Sequence, residues 1–262
     1  ICRLMQADDG GLADLREALD IAHSDGDDTN AAYIAHDLGN TLVRHGHLQE
    51  AQASFHQALM HWRKAGNASD VALTLQGLGV ISHHLGEYIE AEARLNDSLL
   101  KAEESNDQRL QAYAHANLAE LFRDLSRYEE AQTHAQRAMY LAGRAKAQDL
   151  MVFVGVLQAD ILRLQGEARL ARQLAQEALD QAVASELSYE AALARSTLAM
   201  ATLQQDSIVA AVALLQQALP GLVETGAPRD VARTHLQMGL AYLQGGDQRE
   251  AARHLREVQQ LL

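Results

Sequence analysis

Histidine is the residue type in this sequence that most invites a chemical role, with 12 copies among 262 residues. Imidazole nitrogens bind zinc, and a helical zinc site usually holds two histidines four residues apart. The closest pairs have other spacings: His45 with His47, His83 with His84, and His56 with His61. Adjacent residues on a helix point about 100° apart, so they do not converge on one ion. The spacing predicts structural or surface histidines and no metal site.

Nucleophilic and phosphate-binding motifs are missing as well. The single cysteine, Cys2, lies at the start of the chain and has no partner for an internal disulfide, which fits a reducing compartment. No G-x-S-x-G motif and no phosphate-cradling glycine loop occurs. We therefore expect no catalytic residue, no cofactor and no enzymatic activity.

The composition favours an acidic, helical protein. Ala, Leu, Gln and Glu are abundant, proline occurs twice, and runs of Val, Ile and Thr are missing, which predicts an all-α fold. The 22 basic and 35 acidic residues give a net charge of −13 without any Lys/Arg-rich block, so nucleic-acid binding is not expected. No apolar run reaches the ~18 residues that span a bilayer, and the N-terminus does not resemble a signal peptide. The prediction is a cytoplasmic protein without a membrane segment.

The helices that would position the polar side chains belong to an internal repeat. Its period is the spacing from Ala51 to Ala91, and the same spacing separates Ala91 from Ala131. Six blocks run without a gap from Ala32, preceded by a truncated unit. We predict a single repeat domain over 1–262, which we expect to be a fragment of a longer chain. Its units are 1–31, 32–71, 72–111, 112–151, 152–191, 192–231 and 232–262. Each block reads as two helices, so stacked hairpins are expected. The predicted turn residues between the two helices are Gly46, Gly86, Ser126, Gly166, Asp206 and Gly246.

One column of the repeat admits only glycine or alanine. Its members are Gly39, Gly79, Ala119, Ala159, Ala199 and Gly239. A glycine inside a helix costs about 1 kcal/mol relative to alanine, so its recurrence needs a compensating contact. We interpret the column as the place where the two helices of a hairpin cross at close range.

The columns resemble the tetratricopeptide repeat, whose pattern is W-x2-L-G-x2-Y, then A-x3-F, then P. In the first block Leu38, Gly39, Leu42, Ala51 and Phe55 match this pattern. The resemblance implies a right-handed α-solenoid of stacked antiparallel hairpins, similar to the sensor arrays of large bacterial transcription regulators. The family tryptophan is absent from every block, and the closing proline is replaced by Arg63, Glu103, Gly143, Val183 and Val223. Without that proline the second helix is predicted to extend by about one turn.

The concave wall implied by this resemblance would be formed by one face of each first helix. In the first four blocks that face mixes hydrogen-bond donors, acceptors and both charges. The predicted peptide-contacting set is Asn40, Arg44, His83, His84, Glu120, Arg123, Asp160 and Arg163. Such a mixture suits a peptide better than a phosphate backbone. The alternative is a solvated face on which neighbouring charges, such as Glu120 and Arg123, pair with each other.

The last two blocks make the same wall apolar. The predicted apolar patch consists of Met200, Leu203, Leu236, Leu240 and Leu243. Monomers seldom expose large apolar areas, so we expect the patch to be covered by a partner, by a second copy of the chain through self-association, or by neighbouring sequence.

Two functions remain open at this point. The chain is either a non-catalytic protein- or peptide-binding array that senses a signal within a larger, bacterial signalling or transcription regulator, or a free-standing scaffold that joins partners. The expected ligand is a protein or peptide in the concave groove, with no nucleic acid bound by this segment. The same solenoid carries many unrelated ligands, so the fold alone does not name one.

Overall fold

A computed structural model describes residues 9–205 and 207–261; Cys2 and the predicted turn residue Asp206 lie outside these ranges. The described residues form helices joined by short links and contain no strand, which confirms the all-α prediction. The thirteen described helices are α1 (Asp9–Ser24), α2 (Asp28–Arg44), α3 (Leu48–Ala65), α4 (Ala68–His84), α5 (Tyr88–Glu104), α6 (Gln108–Asp124), α7 (Tyr128–Ala145), α8 (Gln148–Leu164), α9 (Ala168–Ala184), α10 (Ser188–Leu203), α11 (Ile208–Glu224), α12 (Pro228–Gln244) and α13 (Gln248–Leu261).

The links between helices recur at a constant interval, which is half of the period found in the sequence. Each described link contains a residue with positive φ, and glycine occupies seven of these positions. The positions are Gly26, Gly46, Gly66, Gly86, Asn106, Ser126, Lys146, Gly166, Glu186, Gly226 and Gly246. At Gly46 the amide donates to Val43 O, and the next amide, of His47, donates to Leu42 O. This pair of bonds satisfies carbonyls at the end of α2 and stops the helix.

Local sequence explains where the helices begin and how far they run. Asp27 and Asn67 cap α2 and α4, each accepting a hydrogen bond from the backbone amide three residues later. The five residues that stand at the family's proline position all lie inside second helices. The predicted extension of those helices is therefore confirmed. The first helices also begin four residues before each block boundary, for example at Asp28 for the block that starts at Ala32.

The chain divides into two compact units, Ile1–Leu121 (the first unit) and Phe122–Leu262 (the second unit). The core of the first unit includes Phe55, Trp62 and Leu78. The second unit contains two buried clusters, one around Leu198 and Leu222 and one around Leu215 and Met238. The single-domain organisation stays a prediction.

The predicted close crossing of helices is confirmed, because all six Gly/Ala column residues are buried. In the first unit a Cβ added at Gly39 would lie 3.0 Å from ring atoms of Phe55, and one at Gly77 would lie 3.0 Å from the same ring. A Cβ at Gly79 would approach Leu95 Cγ to 2.7 Å, closer than real Cβ contacts. The phenylalanine of α3 therefore fits between glycines of α2 and α4.

Candidate functional site

First helices lie side by side in the second unit and bring equivalent residues together. Gln204 Nε2 donates to Arg163 O at 3.3 Å, which joins the ends of α10 and α8. Gln244 Nε2 donates to Leu203 O at 3.5 Å and joins α12 to α10 in the same way. Ser196 Oγ and Gln237 Oε1, 2.5 Å apart, connect α10 and α12 further along. One face of α8, α10 and α12 therefore forms a continuous surface.

Three residues of the predicted peptide-contacting set meet at one edge of this surface. Asp160 Oδ1 accepts hydrogen bonds from Arg163, with Nη2 at 2.7 Å, and Asp160 Oδ2 lies 3.5 Å from Arg123 Nη1. Arg123 Nη2 is also 2.7 Å from Asp124 Oδ1. We call Arg123, Asp124, Asp160 and Arg163 the polar cluster.

The polar cluster is internally neutral, and its members apart from the exposed Asp124 are largely shielded from solvent. The side chains of Arg123 and Arg163 are only 11% and 16% exposed, and two arginines face two carboxylates. Shielded ion pairs tolerate the loss of one partner poorly, because the remaining charge stays without compensation. These residues consequently connect α6 and α8 as well as contributing polar atoms to the surface.

The other five predicted polar residues belong to the first unit. Asn40 and Arg44 are exposed on α2, and Arg44 Nη2 donates to Thr41 Oγ1 at 3.1 Å. His83 and His84 are half-buried in the last turn of α4, with ring centroids 5.9 Å apart. Glu120 is half-buried on α6. The structure thus divides the predicted set between the two units.

The predicted apolar patch is only partly exposed, and one of its members was assigned wrongly. Leu236, Leu240 and Leu243 are 42%, 47% and 49% exposed and follow one another along α12; we call them the leucine face. Met200 is half-buried. Leu203 is 5% exposed and belongs to the core with Leu215 and Met238, because α10 is packed between α8 and α12. Leu203 therefore does not contribute to an exposed surface.

Two histidine pairs went unnoticed in the sequence because their members are far apart along the chain. His23 Nε2 lies 3.3 Å from His61 Nε2, and His61 Nδ1 lies 2.6 Å from Asp28 Oδ1. In the second unit, His235 Nδ1 lies 2.9 Å from His254 Nδ1. The separations of 38 and 19 residues match no local motif. Only the packing of one helix against another, which the repeat implies, could have brought these histidines to notice.

Burial and hydrogen bonding shift the pKa values around these pairs in different directions. Burial lowers the pKa of His235 and of His254 below the ordinary histidine value. The hydrogen bond from His61 lowers the pKa of the Asp28 carboxyl, since it stabilises the charged form. The pair in the first unit therefore has a carboxylate hydrogen-bonded to it, whereas Glu257 acts on the second pair through its charge.

Two further structural findings bear on function. None of the helices in the described part of the chain is long and apolar enough to cross a membrane. Among residues 9–205 and 207–261, no group of three or more His, Cys, Asp and Glu side chains is placed to hold a metal ion.

Comparison with known proteins supports the repeat fold. The sequence model of the tetratricopeptide repeat family matches residues 70–142, which span α4 to α7. No curated protein is significantly similar in sequence. The apo form of RapI is similar in structure, with a TM-score of 0.78 and 16% identity over 95% of this chain and 91% of RapI.

Other similar structures include a gene regulator, a signal transduction ATPase and a phosphatase. A Rap conjugation gene regulator of plasmid pLS20, in complex with the Phr* peptide, has a TM-score of 0.60 and 12% identity over 92% of this chain and 76% of that one. A signal transduction ATPase with a tetratricopeptide repeat sensor, from Pyrococcus horikoshii, has a TM-score of 0.64 and 15% identity, and the match covers 88% of this chain and 36% of that one. Aspartyl phosphate phosphatase F from Bacillus subtilis has a TM-score of 0.72 and 12% identity over 88% of this chain and 59% of that one.

At these identities the likeness establishes the fold. The matched repeat segment, the repeat columns and the helical hairpins agree with it. The chain therefore has the fold of a tetratricopeptide-like repeat array.

Proposed function

We propose that this chain is a non-catalytic, peptide- or protein-binding array that serves as the sensing or regulatory part of a larger cytoplasmic regulator. The neighbours include regulatory proteins of the same fold, one of them in complex with a peptide and one with the repeat array as its sensor. In the sensor protein the array is one part of a longer chain, as proposed here.

The observation that carries the proposal is the graded surface of the second unit. The face shared by α8, α10 and α12 begins at the polar cluster, passes half-buried Met200 and ends at the leucine face. A peptide offers polar backbone groups and apolar side chains together, so it complements such a surface. A small-molecule site is instead usually an enclosed, mostly apolar cavity.

A display library of random peptides, selected on the whole chain, would test this function. The selected peptides would be titrated by calorimetry against Leu240→Ser in the second unit and Asn40→Ala in the first. Both residues are exposed, so their replacement leaves the core intact. Arg123 is a poorer probe, because its replacement would also disturb Asp124 and Asp160.

We expect Leu240→Ser to weaken binding about tenfold, since it removes apolar contact area and exposes a polar group instead. The matched control is Arg169→Glu on the second helix α9. If Arg169→Glu abolishes binding while Leu240→Ser and Asn40→Ala bind like the parent, the surface assignment is wrong. Hydrolysis of a protein aspartyl phosphate by the purified chain would contradict the non-catalytic part of the proposal.

The leucine face favours a second candidate function, a scaffold that self-associates. Three exposed leucines on one helix form an apolar area of the kind that another chain can cover. Sedimentation velocity would then show a dimer that becomes monomeric in Leu240→Glu. A parent chain that remains monomeric at high concentration without aggregating would exclude this alternative.

A further inference from the structure

The junction of α1, α2 and α3 places three side chains in a linear arrangement. His61 on α3 is buried and its Nδ1 lies 2.6 Å from Asp28 Oδ1, at the start of α2. The Nε2 atom on the other side of the same ring lies 3.3 Å from Nε2 of His23, in the last turn of α1. His23 is exposed, so solvent reaches the pair from that side.

The carboxylate determines which nitrogen of His61 carries the lone pair. An ionised carboxylate only accepts hydrogen bonds, so Nδ1 of His61 must be the donor to Asp28. In the neutral ring the lone pair then lies on Nε2, which is the atom facing His23. A carboxylate that holds the far nitrogen of a ligating histidine is the usual outer partner in zinc sites.

The distance between the two facing nitrogens matches a pair of ligands on one ion. Zinc–nitrogen bonds of about 2.0–2.1 Å in tetrahedral geometry place two nitrogens roughly 3.3–3.4 Å apart. We propose that His23 Nε2 and His61 Nε2 bind one divalent transition-metal ion, with zinc as the reference ion and Asp28 as the outer carboxylate. Water molecules complete the coordination, since no third protein ligand is placed there among the described residues.

The first unit as a whole is acidic, although Lys64 Nζ also lies 3.5 Å from Asp28 Oδ1. The first unit contains eight basic and 19 acidic residues, a net charge of −11, whereas the second unit, with 14 and 16, carries −2. An acidic surface raises the local concentration of cations. Imidazole nitrogen selects zinc, copper, nickel and cobalt over magnesium and calcium, which prefer oxygen ligands.

The second histidine pair provides an internal contrast. His235 and His254 face each other through Nδ1 atoms only 2.9 Å apart, a direct hydrogen-bond distance. That separation is shorter than the nitrogen–nitrogen distance around one tetrahedral zinc ion, roughly 3.3 Å. We therefore expect this pair to bind no metal.

The test is titration of Zn²⁺ into the purified whole chain, without an affinity tag, by calorimetry. Co²⁺ absorption would report the coordination geometry. The variants are His23→Gln, His61→Gln and Asp28→Asn, and the matched control is His235→Gln in the other pair. His23 is exposed, so His23→Gln keeps the fold and is the decisive variant. Nitrogen-edited NMR of the imidazole rings would identify the ligating atoms.

We expect one site per chain that is lost in His23→Gln and His61→Gln and unchanged in His235→Gln. Asp28→Asn should weaken it about 10- to 100-fold, the usual effect of removing an outer carboxylate. The NMR signals of Nε2 in His23 and His61 should shift, while the Nδ1 proton of His61 is retained. Equal Zn²⁺ affinity in the parent and His23→Gln would overturn the proposal, as would a parent chain that binds no Zn²⁺.

Discussion

At Gly39 and Gly79 in the first unit a glycine of the column faces a large side chain, whereas in the second unit the column also holds alanine at Ala159 and Ala199. Gly39 faces Phe55 and Gly79 faces Leu95 in the first unit. In the second unit Ala159 shares a buried cluster with Ala175, and Ala199 shares one with Leu215. Gly239 and Leu255 repeat the glycine solution there, but with a looser contact of 3.4 Å.

At Gly39 the Phe55 ring leaves little room for a methyl group, because interiors are packed densely. Leucine partners occur with both column residues, since Leu95 faces Gly79 and Leu215 shares a buried cluster with Ala199. The surfaces of the two units differ more strongly than their cores. The first unit is acidic and contains nine of the 12 histidines, and the second is nearly neutral and carries the leucine face.

The largest expected effect on this comparison is that of Phe55→Ala. Phe55 is buried between Gly39 and Gly77, and neither glycine has a side chain that could fill the space. We expect the unfolding free energy to fall by about 3–5 kcal/mol, as for other buried phenylalanines. Urea denaturation followed by circular dichroism measures it. A loss below ~1 kcal/mol would show that the crossing is not tightly packed.

A second test compares one substitution at two crossings. In Gly79→Ala the new methyl would lie 2.7 Å from Leu95 Cγ, so we expect a loss of about 1–3 kcal/mol by overpacking. Gly239→Ala is the matched control, because its methyl would lie 3.4 Å from Leu255, an ordinary contact. It should be neutral or stabilising by up to about 1 kcal/mol through helix propensity. Equal unfolding midpoints for the two variants would contradict the proposed difference.

A third prediction concerns a double substitution that replaces the glycine–phenylalanine pair at Gly39 and Phe55 by two alanines, as at Ala159 and Ala175 in the second unit. Gly39→Ala alone should destabilise the chain, since its methyl would lie 3.0 Å from the Phe55 ring. In the Phe55→Ala background the same change should stabilise by about 1 kcal/mol, because the ring is gone and alanine favours the helix. Denaturation of the four variants gives the coupling energy. If the two substitutions change the free energy of unfolding additively, residues 39 and 55 do not interact at the crossing.

The smallest expected effect concerns acid sensitivity. Burial lowers the pKa of His235 and His254 from the ordinary value of 6.5, so the unfolded chain binds more protons than the folded one. The folded chain therefore keeps its full stability above that pH. It loses free energy of unfolding as the pH falls below it, because the unfolded chain takes up protons more readily. His254→Gln should therefore flatten the acid side of the melting temperature against pH. An unchanged slope would contradict this.

His36 gives the corresponding test in the first unit, because burial lowers its pKa as well. Its Nδ1 lies 3.3 Å from Thr74 Oγ1, between α2 and α4. His36→Gln should also flatten the profile, and the larger of the two changes identifies the unit that limits stability in acid.

The sequence was sufficient for features that recur in every block. The column at Gly39 and the extension of the second helices through Arg63 followed from repetition, because each copy of the repeat is an independent sample of the same contact. The even spacing of the links was missed, since three of the left-handed positions between blocks hold Asn106, Lys146 and Glu186. Those residue types do not require a turn as strongly as glycine does.

The candidate site was less predictable, since its chemistry depends on neighbours that a helical wheel ignores. Leu203 and Leu243 occupy equivalent positions, yet only Leu203 is packed between two other first helices. Arg123 was predicted on a polar surface, but Asp160, a residue of the following block, lies against it and helps to shield it. The His23–His61 contact joins α1, in the truncated repeat 1–31, to α3 in the first complete block. The truncated repeat offers no complete block to compare.

The uniform links have a consequence for how such a chain can change in length. From Asp28 onward the helices start at one constant interval, as at Leu48, Ala68 and Tyr88, and each leaves through a left-handed residue wherever the link is described. Inserting or deleting one whole hairpin would keep the chain direction and the alternation of first and second helices. Each remaining crossing would therefore pair the same types of helix as before. Inserting a single helix with its link would exchange the two helix types and place large side chains opposite one another at the crossings. The array is therefore modular in steps of two helices, and the face shared by its first helices can lengthen without redesign of any turn.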